Sequence, residues 1–352
     1  MLKDMIMGGA AALLRPEKIR NSPLNVQVEP TTYCNQSCKM CIRSDRKIVL
    51  RHMEENLLHL TVKKLSSRRI VFAGRGEPLL NPVLPEMIAY CVKSHVRTML
   101  STNLTAEPAV IGRLLESGIH VIKVSIDAPD AATYAAVRGD ADGFGKVMEN
   151  VRAIRERRSV KTALSFEYLI MKENFDKIPA MIDLARALKV NRVFFRELQT
   201  EGLGEARRKL LIEEFDLAGL RKALSQAGEM ARRTGIKTNL RELLSGFNEI
   251  VDLYSRAVPT GRGAACLLPW LQVFVAVNGD VSPCSALYTN SNIITGNIAE
   301  NSRDEILNGA AMTCIRRGFK NGKVAPICRD CFPRDFRRLF SLARFTPAYI
   351  FH

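Results

Sequence analysis

From residue 24 to about residue 200, short apolar runs alternate with stretches whose apolar residues recur three and four positions apart. The runs are "LNVQVEP" (24–30), "RIVFAG" (69–74), "VRTMLSTN" (96–103), "IHVIKVSID" (119–127), "TALSFEYLI" (162–170) and "VNRVFFREL" (190–198). Between them, stretches such as "NPVLPEMIAYCVKS" and "AVIGRLLESG" carry helical spacing. Strands that alternate with helices build βαβ units and a parallel sheet. Six such strands, five intervening helical segments and no GxGxxG at the first turn predict an α/β fold, a partial (β/α)6 TIM-like barrel open on one side. A doubly wound sheet shares this periodicity and stands as the alternative.

After residue 204 the pattern changes. A charged helical stretch, 205–257, reads as a connector, and "VPTGRGAAC" (258–266) as a loop-like break. Then "WLQVFVAVNGDVSPC" (270–284) predicts a hairpin turning at Asn278-Gly279. The expected organisation is an N-terminal helix (1–23), the barrel (24–204), the connector (205–257), a small C-terminal α+β module (258–335) and a basic aromatic tail (336–352). The opening "MLKDMIMGGAAALLRPEK" reads as a helix of the mature protein, because Arg15 and Lys18 follow its apolar run where a secretory signal needs small residues. No apolar run approaches the roughly 20 residues that span a bilayer.

In parallel barrels the chemistry sits at the carboxyl ends of the strands. Polar and glycine-rich residues gather there: "TTYCNQSC" after the first strand, "GRGEP" after the second, "STN" after the third and "SID" after the fourth. The first of these continues into CxxxCxxC, with Cys34, Cys38 and Cys41. Nine cysteines, an odd number in clustered spacings, point to metal ligation in a reducing compartment rather than to disulfides. The cytoplasm is therefore the expected location. Three core thiols would sit oddly on a loop of Thr, Tyr, Asn, Gln and Ser, and a zinc site would lack a local fourth ligand. A [4Fe–4S] cluster takes four ligands. With three thiolates, one iron stays open to a small molecule, as in metal sites that keep a position for substrate.

At this point the sequence resembles the radical S-adenosylmethionine (SAM) superfamily, over residues 24–200. That resemblance implies that the amino and carboxylate groups of SAM chelate the open iron of a [4Fe–4S] cluster. It further implies reductive cleavage to a 5′-deoxyadenosyl radical, which abstracts hydrogen from a substrate. "GRGEP" is similar to the family's GGEP and implies that Gly74, Gly76, Glu77 and Pro78 meet the methionyl amino group; Arg75 replaces the more usual second glycine. "STN" implies ribose contacts from Ser101 and Asn103. "SID" with "TYAAVRG" (133–139) implies Ser125 and Arg138 at the SAM carboxylate. Met40 takes a position that is often aromatic in the family, and packs beside adenine on this reading. No side chain is singled out as handling the substrate's hydrogen.

A second cysteine set, Cys266, Cys284, Cys328 and Cys331, resembles the C-terminal SPASM/twitch extension of these enzymes. Four cysteines fit the shorter twitch form and imply one fully ligated auxiliary [4Fe–4S] cluster that relays the electron. Cys91 and Cys314 read as packed or idle thiols. His52, His59, His95, His120 and His352 show no ligand spacing. Glu167, Arg196 and Glu197, at the ends of the fifth and sixth strands, either face a substrate or bridge one another along the barrel.

The formal charge of +16 favours an anionic partner. The segments "RAIRERR" and "ARRK" read as solvated helix faces, whereas "FRRLFSLARFTPAYIFH" (336–352) interleaves arginines with aromatics in the manner of an interfacial segment. A peripheral contact with anionic membrane therefore joins the cytoplasmic expectation, with packing of the aromatics onto the domain as the counter-reading. No nucleic-acid partner is expected. The substrate is a peptide, a small polar metabolite or an anionic lipid. The 23 or so residues before the first strand are fewer than a leader-binding domain needs. A flavodoxin or ferredoxin would supply electrons. The alternative from another class is a zinc-binding nucleic-acid or adaptor protein, which leaves the ordered series "GRGEP", "STN", "SID" unexplained.

Overall fold

The computed structural model describes residues 2–157, 161–198, 211, 214–255 and 266–331. The expected tail, 336–352, lies outside the described residues, as do much of the start of the connector and most of the break at 258–266. The strands are β1 Asn25–Val28, β2 Arg69–Phe72, β3 Arg97–Thr102, β4 Val121–Ser125, β5 Ala163–Leu169, β6 Arg192–Arg196, β7 Lys237–Thr238, β8 Gln272–Val275, β9 Asp280–Ser282 and β10 Gly296–Asn297. The first six each fall inside one of the apolar runs. They pair in parallel with their chain neighbours, each across a crossover containing helix, as the βαβ alternation requires.

The sheet is larger than six strands. Its order is β10-β9-β8-β1-β2-β3-β4-β5-β6-β7. β7, from the connector, extends the β6 edge by two residues, Lys237 and Thr238. More consequential is β8, which pairs in parallel with β1 from Asn25↔Gln272 to Val28↔Val275. The expected hairpin therefore continues the barrel sheet. Its turn places Gly279 at φ +89°, a conformation that favours glycine, and the Gly279 N–H donates to the Ala276 carbonyl at 2.9 Å.

Alternation along the strands separates two faces. Val26, Val28, Ile70, Phe72, Leu100, Ile122, Val124, Phe166 and Phe195 show no more than 1% exposure and pack with Leu58, Leu84, Ile88 and Leu114 of the crossover helices. Burying each such side chain contributes about 1.5–3 kcal/mol before chain entropy is counted. The opposite face is polar: Ser101, Lys123 and Ser165 are register partners, and Ser125, Glu167 and Phe194 are the next row towards the carboxyl ends. A sheet hydrophobic under its helices and polar on its other face leaves that second face for chemistry.

The N-terminal segment is tied to the far end of the chain. Helix Leu2–Leu14 brings Ala11 against Trp270, Leu287, Phe319 and Cys328. Beyond it, the Pro16 carbonyl accepts from Trp270 Nε1 at 2.8 Å, and Ile19 exchanges two hydrogen bonds with Asn308. Among the described residues, no helix is long and apolar enough to cross a membrane.

Candidate functional site

The loop after β1 is held from several sides. Cys41 N–H donates to the Cys38 carbonyl, making a turn, and Lys39 N–H donates to the Val137 carbonyl at 2.9 Å. Asn35 Nδ2 reaches Thr105 Oγ1 at 2.9 Å, and Gln36 Nε2 reaches Tyr134 Oη at 2.8 Å. Gly139, at φ +65°, closes helix Ala131–Arg138, and a Cβ there would lie 2.7 Å from the Ser37 carbonyl oxygen. The loop backbone is thus pressed onto that helix end. Met40 packs against the core from the same loop.

Cys34, Cys38 and Cys41 are half-buried, and the Cys41 thiol interacts electrostatically with both others. Burial pushes the Cys34 and Cys38 thiols up; at Cys38 the Arg138 guanidinium, with Nη1 3.7 Å from Sγ, pulls the other way. Three thiols on one loop are the donor set that a multi-iron cluster takes, each thiolate on its own iron.

The glycine-rich loop after β2 lies against this one. At Gly76 a Cβ would stand 2.4 Å from the carbonyl oxygens of both Thr31 and Tyr33, so only glycine allows the two backbones to approach this closely. Glu77, which precedes Pro78 at a short turn of helix, is buried with both carboxylate oxygens engaged. Oε1 accepts from Thr102 Oγ1 at 2.6 Å and Leu79 N–H at 3.1 Å, and Oε2 accepts from Asn103 N–H at 2.7 Å. Burial raises its pKa, against the pull of these donors. Asn103 is buried too, its amide donating to Asn35 Oδ1 at 2.9 Å. Glu77 and Asn103 therefore lock the first three motif loops together.

Ser101 and Ser125 differ from these. Both are only partly buried, at the ends of β3 and β4, and neither hydroxyl has a partner among the described residues. Arg138 is nearly buried, with Nη2 2.5 Å from Asp127 Oδ2. Burial opposes its charge, but Asp127 and Cys38 outweigh that and raise its pKa. Asp127 is itself fixed by the Leu169 N–H at 2.6 Å. Arg138 thus stands between a carboxylate and a cluster-loop thiol.

Deeper on the polar face, Glu167 bridges Lys123 Nζ at 3.2 Å and Arg196 Nε at 2.6 Å. Of the two sequence readings for Glu167 and Arg196, bridging along the barrel is the arrangement found. His120 hydrogen-bonds Thr98, and His52 stacks on Tyr33. Cys91 is fully buried and its thiol is pushed up to about 12 by burial, whereas Cys314 is exposed.

Three members of the second cysteine set come together. Cys266, Cys284 and Cys328 share an apolar pocket with Trp270, Leu287 and Phe319. Burial pushes the Cys328 thiol up to about 12, reinforced by Cys284 and Cys266. Cys284 caps helix Ser285–Ser291, its Sγ accepting from Leu287 N–H at 3.4 Å. Cys331 follows the short helix Pro326–Asp330 that carries Cys328. Arg316 backs this pocket, 1% exposed, donating to the carbonyls of Pro269, Leu307 and Glu17. Burial lowers its pKa to about 10.

Sequence reasoning missed a set of arginine contacts. Arg75, standing where a glycine is usual, folds onto the fully buried Glu29, and Arg43 and Arg46 extend from the cluster loop. The only signal was the departure of Arg75 from its motif.

Residues 28–185 match the family model of the Radical SAM superfamily, and residues 266–332 that of SPASM, an iron-sulfur cluster-binding domain. A PqqA peptide cyclase from Granulibacter bethesdensis is 25% identical over 323 residues, covering 89% of this chain and 80% of that protein. The structure of Streptococcus suis SuiB bound to its precursor peptide SuiA superposes with a TM-score of 0.65 at 16% identity, over 92% of this chain and 79% of that one. Native anSMEcpe with bound AdoMet and Cp18Cys peptide gives 0.64 at 17% identity, over 88% and 86%. At those identities the solved structures speak for the fold. The two family matches leave no place for the zinc-adaptor alternative.

Proposed function

We propose that this chain, a radical SAM enzyme with a C-terminal SPASM domain, abstracts hydrogen from a peptide and so modifies it. The observation that carries the peptide reading is the similarity to a PqqA peptide cyclase along 89% of the chain.

In this reading Cys34, Cys38 and Cys41 hold three irons of a [4Fe–4S] cluster and leave the fourth to SAM. When bound, the cluster and SAM supply one-electron cleavage of the sulfonium and the means of hydrogen abstraction; a flavodoxin or ferredoxin is the proposed donor. The chain's own residues bind and orient. The backbone of Gly74, Gly76 and Pro78 would hold the methionyl amino group, and Met40 would pack beside the adenine. Ser101 and Ser125, whose hydroxyls have no partner among the described residues, would contact the ribose and carboxylate. Glu77 and Asn103 act through the loops they lock, because their polar atoms already have partners. Arg138 places positive charge beside Cys38 and the SAM carboxylate. Cys266, Cys284, Cys328 and Cys331 would hold an auxiliary cluster, which would supply a second redox centre when bound.

The test uses anaerobically reconstituted enzyme, SAM, dithionite and a fully deuterated cell extract divided into peptide, small polar and lipid fractions. Deuterium should appear in 5′-deoxyadenosine with the peptide fraction. Label transferred only from the polar or lipid fraction would overturn the peptide reading.

A further inference from the structure

Helix Ser285–Ser291 begins at Cys284, one of the auxiliary-site cysteines. Two arginines from the first site grip it. Arg46, five residues after Cys41, donates from Nη1 to the Thr289 carbonyl at 2.6 Å and from Nη2 to Asn290 Oδ1 at 3.0 Å. Arg75, between Gly74 and Gly76, sets its guanidinium 5.1 Å from the centre of the Tyr288 ring. Three consecutive residues of one helix are therefore held from two loops of the SAM site.

The Arg75 grip is anchored behind. Arg75 Nε and Nη2 donate to Glu29 Oε1 and Oε2 at 2.8 and 2.6 Å, and its N–H donates to Oε1 as well. Its carbonyl accepts from Arg43 Nη1 at 3.1 Å, and the same Nη1 holds the Thr32 carbonyl. The helix lies between β9 and β10, which pair with each other, so its two ends follow the sheet, while Arg46 and Arg75 tie its last turn to the loops of the SAM site. The Thr289 carbonyl lies in the helix's last turn, where carbonyls lack intrahelical donors, so Arg46 supplies a bond the helix cannot make itself.

We propose that Arg46 and Arg75 form a clamp that sets the position of the auxiliary cluster relative to the SAM cluster. The proposal rests on the reading that each cysteine set holds a cluster. The clamp joins the loop that binds one cluster, the motif that faces the SAM amino group and the helix that begins at a ligand of the other. A displacement at the SAM motif moves Arg75, and Arg75 bears on Tyr288. The arginine that breaks the family's glycine motif thereby gains a role, since glycine leaves the motif intact but cannot reach the second module.

The experiment is pulsed dipolar EPR on the anaerobic holoenzyme with both clusters reduced, read as the distribution of inter-cluster distances, alongside iron content per chain. Wild type should give a narrow distribution. Arg46→Ala should broaden or shift it at full iron content, and adding Arg75→Gly with Glu29→Gln should broaden it further. If Arg46→Ala takes up too little iron, Arg46→Lys replaces it, keeping a donor for the Thr289 carbonyl while giving up Asn290. Full iron with an unchanged distribution in these variants would overturn the clamp alone. A wild-type protein that holds only the SAM-site iron would overturn the clamp together with the two-cluster reading.

Discussion

Arg75→Gly restores the residue more usual in the GGEP-type motif, yet the structure predicts that it destabilises this chain. Glu29 has no solvent exposure, and the substitution removes two of its donors, Nε at 2.8 Å and Nη2 at 2.6 Å. What remains is the residue-75 N–H at 2.8 Å and the Val277 N–H at 3.5 Å. Removing one member of a buried ion pair costs about 3–5 kcal/mol, because the other charge stays buried. Loss of the guanidinium from the Tyr288 ring adds about 0.5–1 kcal/mol. Against a total stability on the order of 5–15 kcal/mol, this is a large share.

The assay is urea unfolding of the anaerobic holoenzyme followed by far-UV circular dichroism. With a denaturant slope on the order of 3 kcal/mol per molar, the midpoint should fall by about 1.2–2 M. Glu29→Gln alone should cost less, since Arg75 is partly exposed and can turn to water. The double variant should be more stable than the sum of the two penalties allows, since it leaves neither charge buried and unpaired. An unchanged midpoint for Arg75→Gly, or two penalties that simply add, would refute the reasoning.

Replacing Cys34, Cys38 or Cys41 with Ala should abolish production of 5′-deoxyadenosine from SAM and dithionite. The triple variant should still bind about four irons, lost when Cys266 or Cys284 is also replaced; stoichiometric zinc there in place of iron would exclude an electron relay. Glu167 is buried, which opposes its charge, but Arg196 and Lys123 outweigh burial and lower its pKa. Its contribution to stability is therefore present above the unfolded carboxyl pKa of about 4.3 and disappears as pH falls through the lower folded value. Glu167→Gln should be less stable than wild type at neutral pH and show a flatter acid limb; parallel pH profiles would contradict this.

The barrel was legible because period-2 and period-3.6 patterns are local. Each of β1 to β6 lies within a run chosen on those grounds, and the hairpin turn was marked by Asn278-Gly279. Partner choice is not local. Nothing in "LQVFV" distinguishes a strand that pairs only with β9 from one that also adds in parallel to β1, because both readings bury the same residues. β7 is two residues long and carries no periodicity. The N-terminal helix was expected, but its seat beside Trp270 depends on a contact across more than 250 residues.

The site divides along the same line, with an instructive exception. Cysteine spacing exposes ligands because metal chemistry demands those side chains at reachable intervals, and the loops after β1 to β4 follow from the parallel topology. Glu77, Asn103 and Arg138 were also singled out in the sequence, but as contacts of a small molecule. The structure gives each of them protein partners: the other motif loops for Glu77 and Asn103, Asp127 and Cys38 for Arg138. A motif records that a residue type is required, not which neighbour requires it. Ser101 and Ser125, equally short signals, have hydroxyls with no partner among the described residues. Within one motif series, then, the side chains with protein partners build the frame that holds the loops together.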